Sequence, residues 1–563
     1  MRRAFLVLLV PAIPLATACA SSRSNEPPFE VVEATIPEMQ RAMESGRITA
    51  RGLVEAYLIR IALYENRLNA AITINPRALV LADSLDRERA AGRVRGPLHG
   101  IPIALKDNVH TTDMPTTVGA LAFDGFVPPY AATLTKNLQD AGAIIIAKTV
   151  MTELANGMAG RGVAMPTNYS AVGGYGMNPY DPRRDPRAET GDGRPALATG
   201  GSSSGIGTSA NLWAANVGTE TSGSILGPAT QTMLVGIKPT VGRISRWGIA
   251  PLNGDQDTAG PLARTVTDAA ILMGALESAT PDPKDPATTA CTAPPNHDYT
   301  PFLDADALKG ARIGIPRAFY FDALKAPGTD TLRGGLNPEG TKRMAEAIEV
   351  LRKEGAVIVD PANIPSVVDP DPANNFLLLA ACGATVAPSG CSIPYGPKRD
   401  IDAWLATLGP AAPVKTLTEL IAWNRAHQQA GSMKYGQGGL ENYDQVDLVR
   451  DRARYQSELA NRIRLARTHG IDEAMKANRL DALLFAGTSG AAIAAQATYP
   501  TVIVPFGVVP NAPTPPFPAG FEARPSPVGV SFTGMACSEP RLIALAYAFE
   551  QATRARVAPP LFP

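Results

Sequence analysis

The residues whose types and spacing could do chemistry cluster between Gly200 and Pro228, in "GGSSSGIGTSANLWAANVGTETSGSILGP". Two serine–glycine clusters flank a short apolar segment. The first, Gly201-Ser202-Ser203-Ser204-Gly205, fits the G-x-S-x-G turn of a serine nucleophile, which would make Ser203 reactive and would need a later acid and a later histidine. His297, His427 and His469 follow it, none in a distinctive context. A phosphate cradle is another use of a Gly-rich turn, but neither Gly-Lys-Ser/Thr nor G-x-G-x-x-G is present. The second cluster, "GTETSGSILGP", suits acyl transfer better. Gly218 and Gly223 permit a tight turn, and such a turn can aim several N–H groups at the place where an oxyanion develops. Ser224 stands at its end. Each cluster, taken alone, also fits a plain turn satisfied by local hydrogen bonds.

A reactive serine needs a base. With the histidines scattered, a desolvated neutral lysine is the other usual candidate. Lys106 closes the apolar run of "GIPIALKDNV", where burial disfavours the ammonium form and lowers its pKa. An ordinary solvated lysine at a strand end is the alternative.

The elements that must position these residues are legible as patterns. "IPEMQRAMESGRITARGLVEAYLIRIALYENRL" reads as helical. "GIPIALKDNV" reads as a short buried strand. "ATLTKNLQDAGAIIIAKT" reads as an amphipathic helix, a Gly stop and an Ile-rich strand, the repeating step of an α/β protein. "LDALLFAGTSG", "YPTVIVPFGV" and "SPVGVSFTG" read as core strands. "SEPRLIALAYAFEQATR" reads as a closing helix, with Ser538 as its cap and Pro540 in its first turn. The Pro- and Gly-rich loops between them are not domain linkers, because strand and helix patterns resume after each.

The chain has 563 residues, 45 % hydrophobic and 18 % charged, which fits a globular core and argues against general disorder. Its formal net charge is zero, so nothing points to nucleic acid. Residues 1–18 read as a signal peptide: a basic "MRR", an apolar run, then Ala16 and Ala18 in an A-x-A pattern. Cys19 follows directly, as in a bacterial lipoprotein signal, so it is the expected lipidation site, and residues 19–30 read as a polar tether. These features predict an exported protein: periplasmic, membrane-anchored as a lipoprotein, or secreted. Export would permit disulfides among Cys291, Cys382, Cys391 and Cys537, with Cys382 and Cys391 the nearest pair in sequence; buried free thiols fit equally. Zinc-site spacing is absent, and no metal or cofactor is expected.

The motifs "GIPIALKDNV", "GGSSSG", "GTETSGS", "VGIKPTVGRISRWGIAPL" and "DTAGPLARTVTDAA", in this order, resemble the amidase signature family of serine hydrolases. The likeness covers most of residues 35–275 and returns at about 480–555, whereas residues 280–475 match only loosely, a region that varies with substrate in the family. The resemblance implies one large α/β domain, residues 31–563, with a central mixed sheet covered by helices on both faces. It implies a Ser–Ser–Lys triad with Lys106 as base, Ser202 as proton relay and Ser224 as nucleophile, Ser203 replacing Ser202 if the register is off by one. It also implies a cis bond at Gly201–Ser202, and oxyanion donors on the backbone of Thr221, Ser222, Gly223 and Ser224. From Ser202 to Ser224 is 22 steps, shorter than the family's spacing, with the shortening in "GIGTSANL" at the start of an expected helix. Many relatives carry an Arg two residues after the nucleophile. Leu226 stands here, which favours an apolar or neutral acyl group over a carboxylate. "GGYGMNPYDPRRDPR" is similar to the peptide-amidase-like and aminoacyl-tRNA-amidotransferase-A-like branches, and export speaks against the tRNA role. The expectation is an exported amidase acting on a small-molecule or peptide amide with water. An ester hydrolase with the same triad, or an inactive amidase-like binding lipoprotein, is the alternative.

Overall fold

The computed structural model describes residues 28–160, 163, 165–381 and 393–563. Ala16, Ala18 and Cys19 of the expected signal and anchor, and the Cys382/Cys391 pair, lie outside the described residues.

A mixed sheet of eleven strands runs through the molecule. Across it lie, in order, Ala71–Ile74, Ile144–Thr149, Pro102–Lys106, Ala215–Glu220, Thr258–Ala263, Val235–Lys238, Thr501–Val509, Ser526–Thr533, Ala482–Ala486, Arg312–Gly314 and Val357–Val359. Pro102–Lys106 is parallel to both its neighbours, Ile144–Thr149 and Ala215–Glu220. All three strands are buried along their whole length. That is why the first two read as nearly unbroken apolar runs: a strand covered on both faces cannot alternate polar and apolar residues. The strands on either side of this trio are antiparallel to it.

Helices flank the sheet. Thr133–Asp140 leads into Ile144–Thr149 through the expected Gly stop. Ile36–Glu44 starts at Thr35 with a reciprocal cap between Thr35 and Glu38. The closing helix, Glu539–Thr553, has Pro540 in its first turn, but Ser538 does not cap it with its side chain. That hydroxyl instead donates to the Met535 carbonyl at 2.7 Å, a local alternative open to any serine at a helix start. The helix expected at "GIGTSANL" is only Ile206–Ser209. The chain then turns through the fully buried Trp213 into Ala215–Glu220.

Residues 280–475 supply several helices, among them Tyr395–Thr407 and Leu417–Ala426. These form a second apolar cluster, with Trp404, Leu405 and Leu420 packed on Phe123 and Met151. A disulfide joins Cys291 to Cys537, 246 residues apart. The fold thus brings together two cysteines that no local spacing connects.

Candidate active site

The site is built at the carboxyl ends of the parallel trio. Lys106 is the last residue of its strand and is fully buried. Its Nζ lies 2.9 Å from Ser202 Oγ, 2.8 Å from Thr219 Oγ1 and 3.2 Å from the Thr219 carbonyl. Thr219 belongs to the adjacent strand, and Asn108 Nδ2 donates to the same Thr219 hydroxyl at 3.1 Å and to the Ala250 carbonyl at 3.0 Å. Burial lowers the Lys106 pKa to about 7, although Asp257 and Glu220 nearby pull the other way. A neutral amine has two N–H groups and one lone pair. Two donors to Thr219 leave the lone pair for the Ser202 hydroxyl, so the geometry suits a base that accepts from Ser202.

Ser202 itself is 2 % exposed. Its loop packs backbone to backbone on the turn that carries Ser224. Ser203 N–H donates to the Ser224 carbonyl at 3.1 Å. A Cβ on Gly201 would sit 2.8 Å from the Gly223 carbonyl oxygen and 2.9 Å from Ser224 Cα, so only glycine allows this approach. No hydrogen bond joins the Ser202 and Ser224 hydroxyls in this structure; catalytic bonds are often loose before substrate arrives. Ser203 does something else. Its hydroxyl donates to the Thr219 carbonyl at 2.9 Å and accepts the Thr219 N–H at 3.1 Å. It is fully buried, which removes it as an elbow nucleophile. His297, His427 and His469 pair instead with Glu277, the Trp423 carbonyl, and Asp369 with Glu473. The Gly201–Ser202 bond is not cis. The cis bonds among the described residues precede Pro361 and Pro515, where a tertiary amide makes the form inexpensive, while a non-proline cis bond costs about 3–4 kcal/mol.

The turn from Thr221 to Ser224 is held from below. Glu220 accepts the N–H groups of Ile225 and Leu226 at 2.6 and 2.9 Å, and Gly223 adopts φ 91°. The N–H groups of Ser222, Gly223 and Ser224 make no hydrogen bond to the described residues. They stand beside the Ser224 side chain, where an oxyanion would form. Asp257 accepts from the Thr221 hydroxyl at 2.5 Å and from Leu252 and Asn253 N–H at 2.8 Å each; burial raises its pKa to about 6. Sequence reasoning missed Thr219, Asn108, Glu220 and Asp257. Glu220 and Thr219 lay inside the quoted motif, but only strand pairing reveals what they touch. Leu226 is buried in an apolar cluster with Ile225 and Ile503.

Next to this constellation, Asp107 forms a fully buried ion pair with Lys148 at 3.2 Å. Among the described residues no cluster of metal-ligating side chains is found, and no helix is long and apolar enough to cross a membrane.

A dry amine against a serine hydroxyl, with free backbone donors alongside, is an arrangement that could serve acyl transfer, and the sheet that carries it makes this an α/β protein. The amidase family profile matches residues 52–543. The chain belongs to that family, the amidase signature enzymes, and is an amide-hydrolysing enzyme. It is 33 % identical to a probable amidase of Arabidopsis thaliana over 98 % of this chain and 96 % of that one. It is 36 % identical to a component of the glutamyl-tRNA(Gln) amidotransferase of Chloroflexus aurantiacus, over 59 % of this chain and 61 % of that one. The native peptide amidase of Stenotrophomonas maltophilia superposes with a TM-score of 0.76 at 36 % identity, covering 94 % of this chain and 99 % of that one.

Proposed function

We propose that this protein hydrolyses a carboxylic or peptide amide through an acyl-enzyme on Ser224. Neutral Lys106 takes the proton of Ser202, which takes that of Ser224. The Ser224 oxygen attacks the amide carbonyl, and the backbone N–H groups of Thr221, Ser222, Gly223 and Ser224 receive the negative charge. The proton returns along the relay to the departing ammonia or amine, and water then releases the acid. The observation that carries this reading is the fully buried Lys106 amine 2.9 Å from Ser202 Oγ. The relay from Ser202 to Ser224 would close when substrate fills the site. A peptide or small-molecule amide is favoured over a tRNA substrate, because the likeness to the peptide amidase spans nearly the whole chain and that to the amidotransferase component about three fifths. Purified Lys106→Ala and Ser224→Ala are expected to lose nearly all amide turnover while keeping wild-type thermal unfolding; full activity in either overturns the assignment.

The same reading includes export, with Cys19 as a lipid anchor to a bacterial membrane. Its supports are the signal-like N-terminus and the Cys291–Cys537 disulfide, a bond that persists in oxidising compartments.

A further inference from the structure

We propose that the cleft beside Thr219 and Thr221 is a pocket for a neutral aromatic group next to the scissile amide, and that Trp404 sets this preference. The inference rests on the amide-hydrolase reading of the site. The cleft has a volume of about 370 Å³ and is lined by Asn108, Thr219 and Thr221 on the catalytic side. Thr219 holds Lys106, Asn108 holds Thr219, and Thr221 begins the turn of Ser224, so a substrate carbonyl at the turn would project its neighbouring group into this space. The volume is within the range of about 300–1,000 Å³ usual for small-molecule pockets.

Three aromatic rings form the far wall: Tyr130, Trp247 and Trp404. They come from three distant segments and are locked together. Trp247 stacks on Tyr130 with ring centres 5.1 Å apart and planes 21° apart. Tyr130 shares a hydrogen bond of 2.5 Å with the Thr407 hydroxyl, one turn from Trp404 on the helix Tyr395–Thr407. The Trp404 indole N–H donates to His110 Nε2 at 3.0 Å, and the His110 ring leans on Tyr130 at 5.0 Å. Burial, with Lys148 nearby, lowers the His110 pKa to about 3. His110 is therefore neutral at ordinary pH, with Nε2 free to accept. Rings fixed in this way lose little freedom when another ring packs on them.

The arginines and the buried Asp257 around the cleft are already paired. Arg246 binds Asp285 and Arg399 binds Asp400, each through two nitrogens. Both oxygens of Asp257 are taken by Thr221, Leu252 and Asn253. Lys284, exposed at the rim, lies over Trp247 at 4.7 Å. A charged group entering the cleft would shed water without a fixed partner to replace it.

The test is kcat/KM on N-acetyl amides of phenylalanine, alanine, glutamate and lysine with the purified protein. The phenylalanine amide should exceed each of the others at least tenfold. Trp404→Ala should narrow the phenylalanine-to-alanine ratio at least tenfold, mainly through KM, and Trp404→Phe should keep it. If Trp404→Ala does not fold, Trp247→Ala, at a partly exposed position, should narrow the same ratio. Turnover without aromatic preference, a preference for the glutamate or lysine amide, or a ratio unmoved by these substitutions overturns this inference and leaves the catalytic reading intact. No turnover of any amide, together with no phosphonylation of Ser224 by a fluorophosphonate, overturns both.

Discussion

At the scale of residues, the account turns on one amine kept out of water. Lys106 ends an apolar strand, and its charge must be lost for it to act as a base. Its pKa is lowered to about 7 by burial. The working form is therefore the deprotonated one, present above that value and lost as pH falls through it. We expect kcat/KM to be level above about pH 8 and roughly thirtyfold lower at pH 5.5, the fraction of neutral amine left by such a pKa. A flat profile between pH 5.5 and 9, or a rise toward acid, contradicts the role. Lys106 and Ser224 stood out in the sequence through the ordered motifs that resemble the amidase signature family, because burial and turn chemistry alone also fit a solvated lysine and a plain turn. Thr219 and Asn108 did not. Thr219 fills two of the three directions around the Lys106 amine with its hydroxyl and its carbonyl, Asn108 holds that hydroxyl in place, and both contacts depend on which strands pair.

At the scale of elements, two glycine loops and a strand end must meet, and a buried ion pair stands at the junction. Asp107 follows Lys106 directly, pairs with Lys148 of the neighbouring strand and accepts the Thr117 N–H at 3.0 Å. Lys148 also donates to Thr116 Oγ1 at 2.8 Å and to the Pro115 carbonyl at 3.1 Å. Removing the carboxylate leaves an ammonium buried without its counter-charge, a cost of about 3–5 kcal/mol. Asp107→Leu should lose about that much in urea denaturation, and Asp107→Leu with Lys148→Met should regain much of it. A loss below about 1 kcal/mol in the single variant would show that the pair is not what secures this strand end. The strands Pro102–Lys106 and Ile144–Thr149 were legible because full burial writes itself as continuous hydrophobicity. The extent of the helix after Ser204 was not, because Gly, Ser and Asn set no firm boundary and the packing of Trp213 decides where it stops.

At the scale of the whole molecule, the middle region, residues 280–475, and the C-terminal part are tied to the site. The segment that carries Lys284 and Asp285 to the cleft rim runs on to Cys291, which is bonded to Cys537 just before the closing helix. Closing a loop of this length in the unfolded chain stabilises the fold by about 2–4 kcal/mol. Cys537→Ala should therefore unfold at lower temperature than wild type under oxidising conditions, and reductant should abolish the difference. Equal unfolding temperatures without reductant would contradict a formed bond. Sequence alone did not reveal this pairing, since proximity across 246 residues is a property of the completed sheet. The aromatic wall was hidden for the same reason: its rings lie on three segments that no local pattern connects. The measurement that bears most directly on the whole account is the site and rate of labelling by a fluorophosphonate, read by peptide mass spectrometry. The adduct is expected on Ser224, absent from Ser224→Ala and slowed about 10²–10⁴-fold in Lys106→Ala. An adduct on Ser203, or labelling of Lys106→Ala at the wild-type rate, would contradict it.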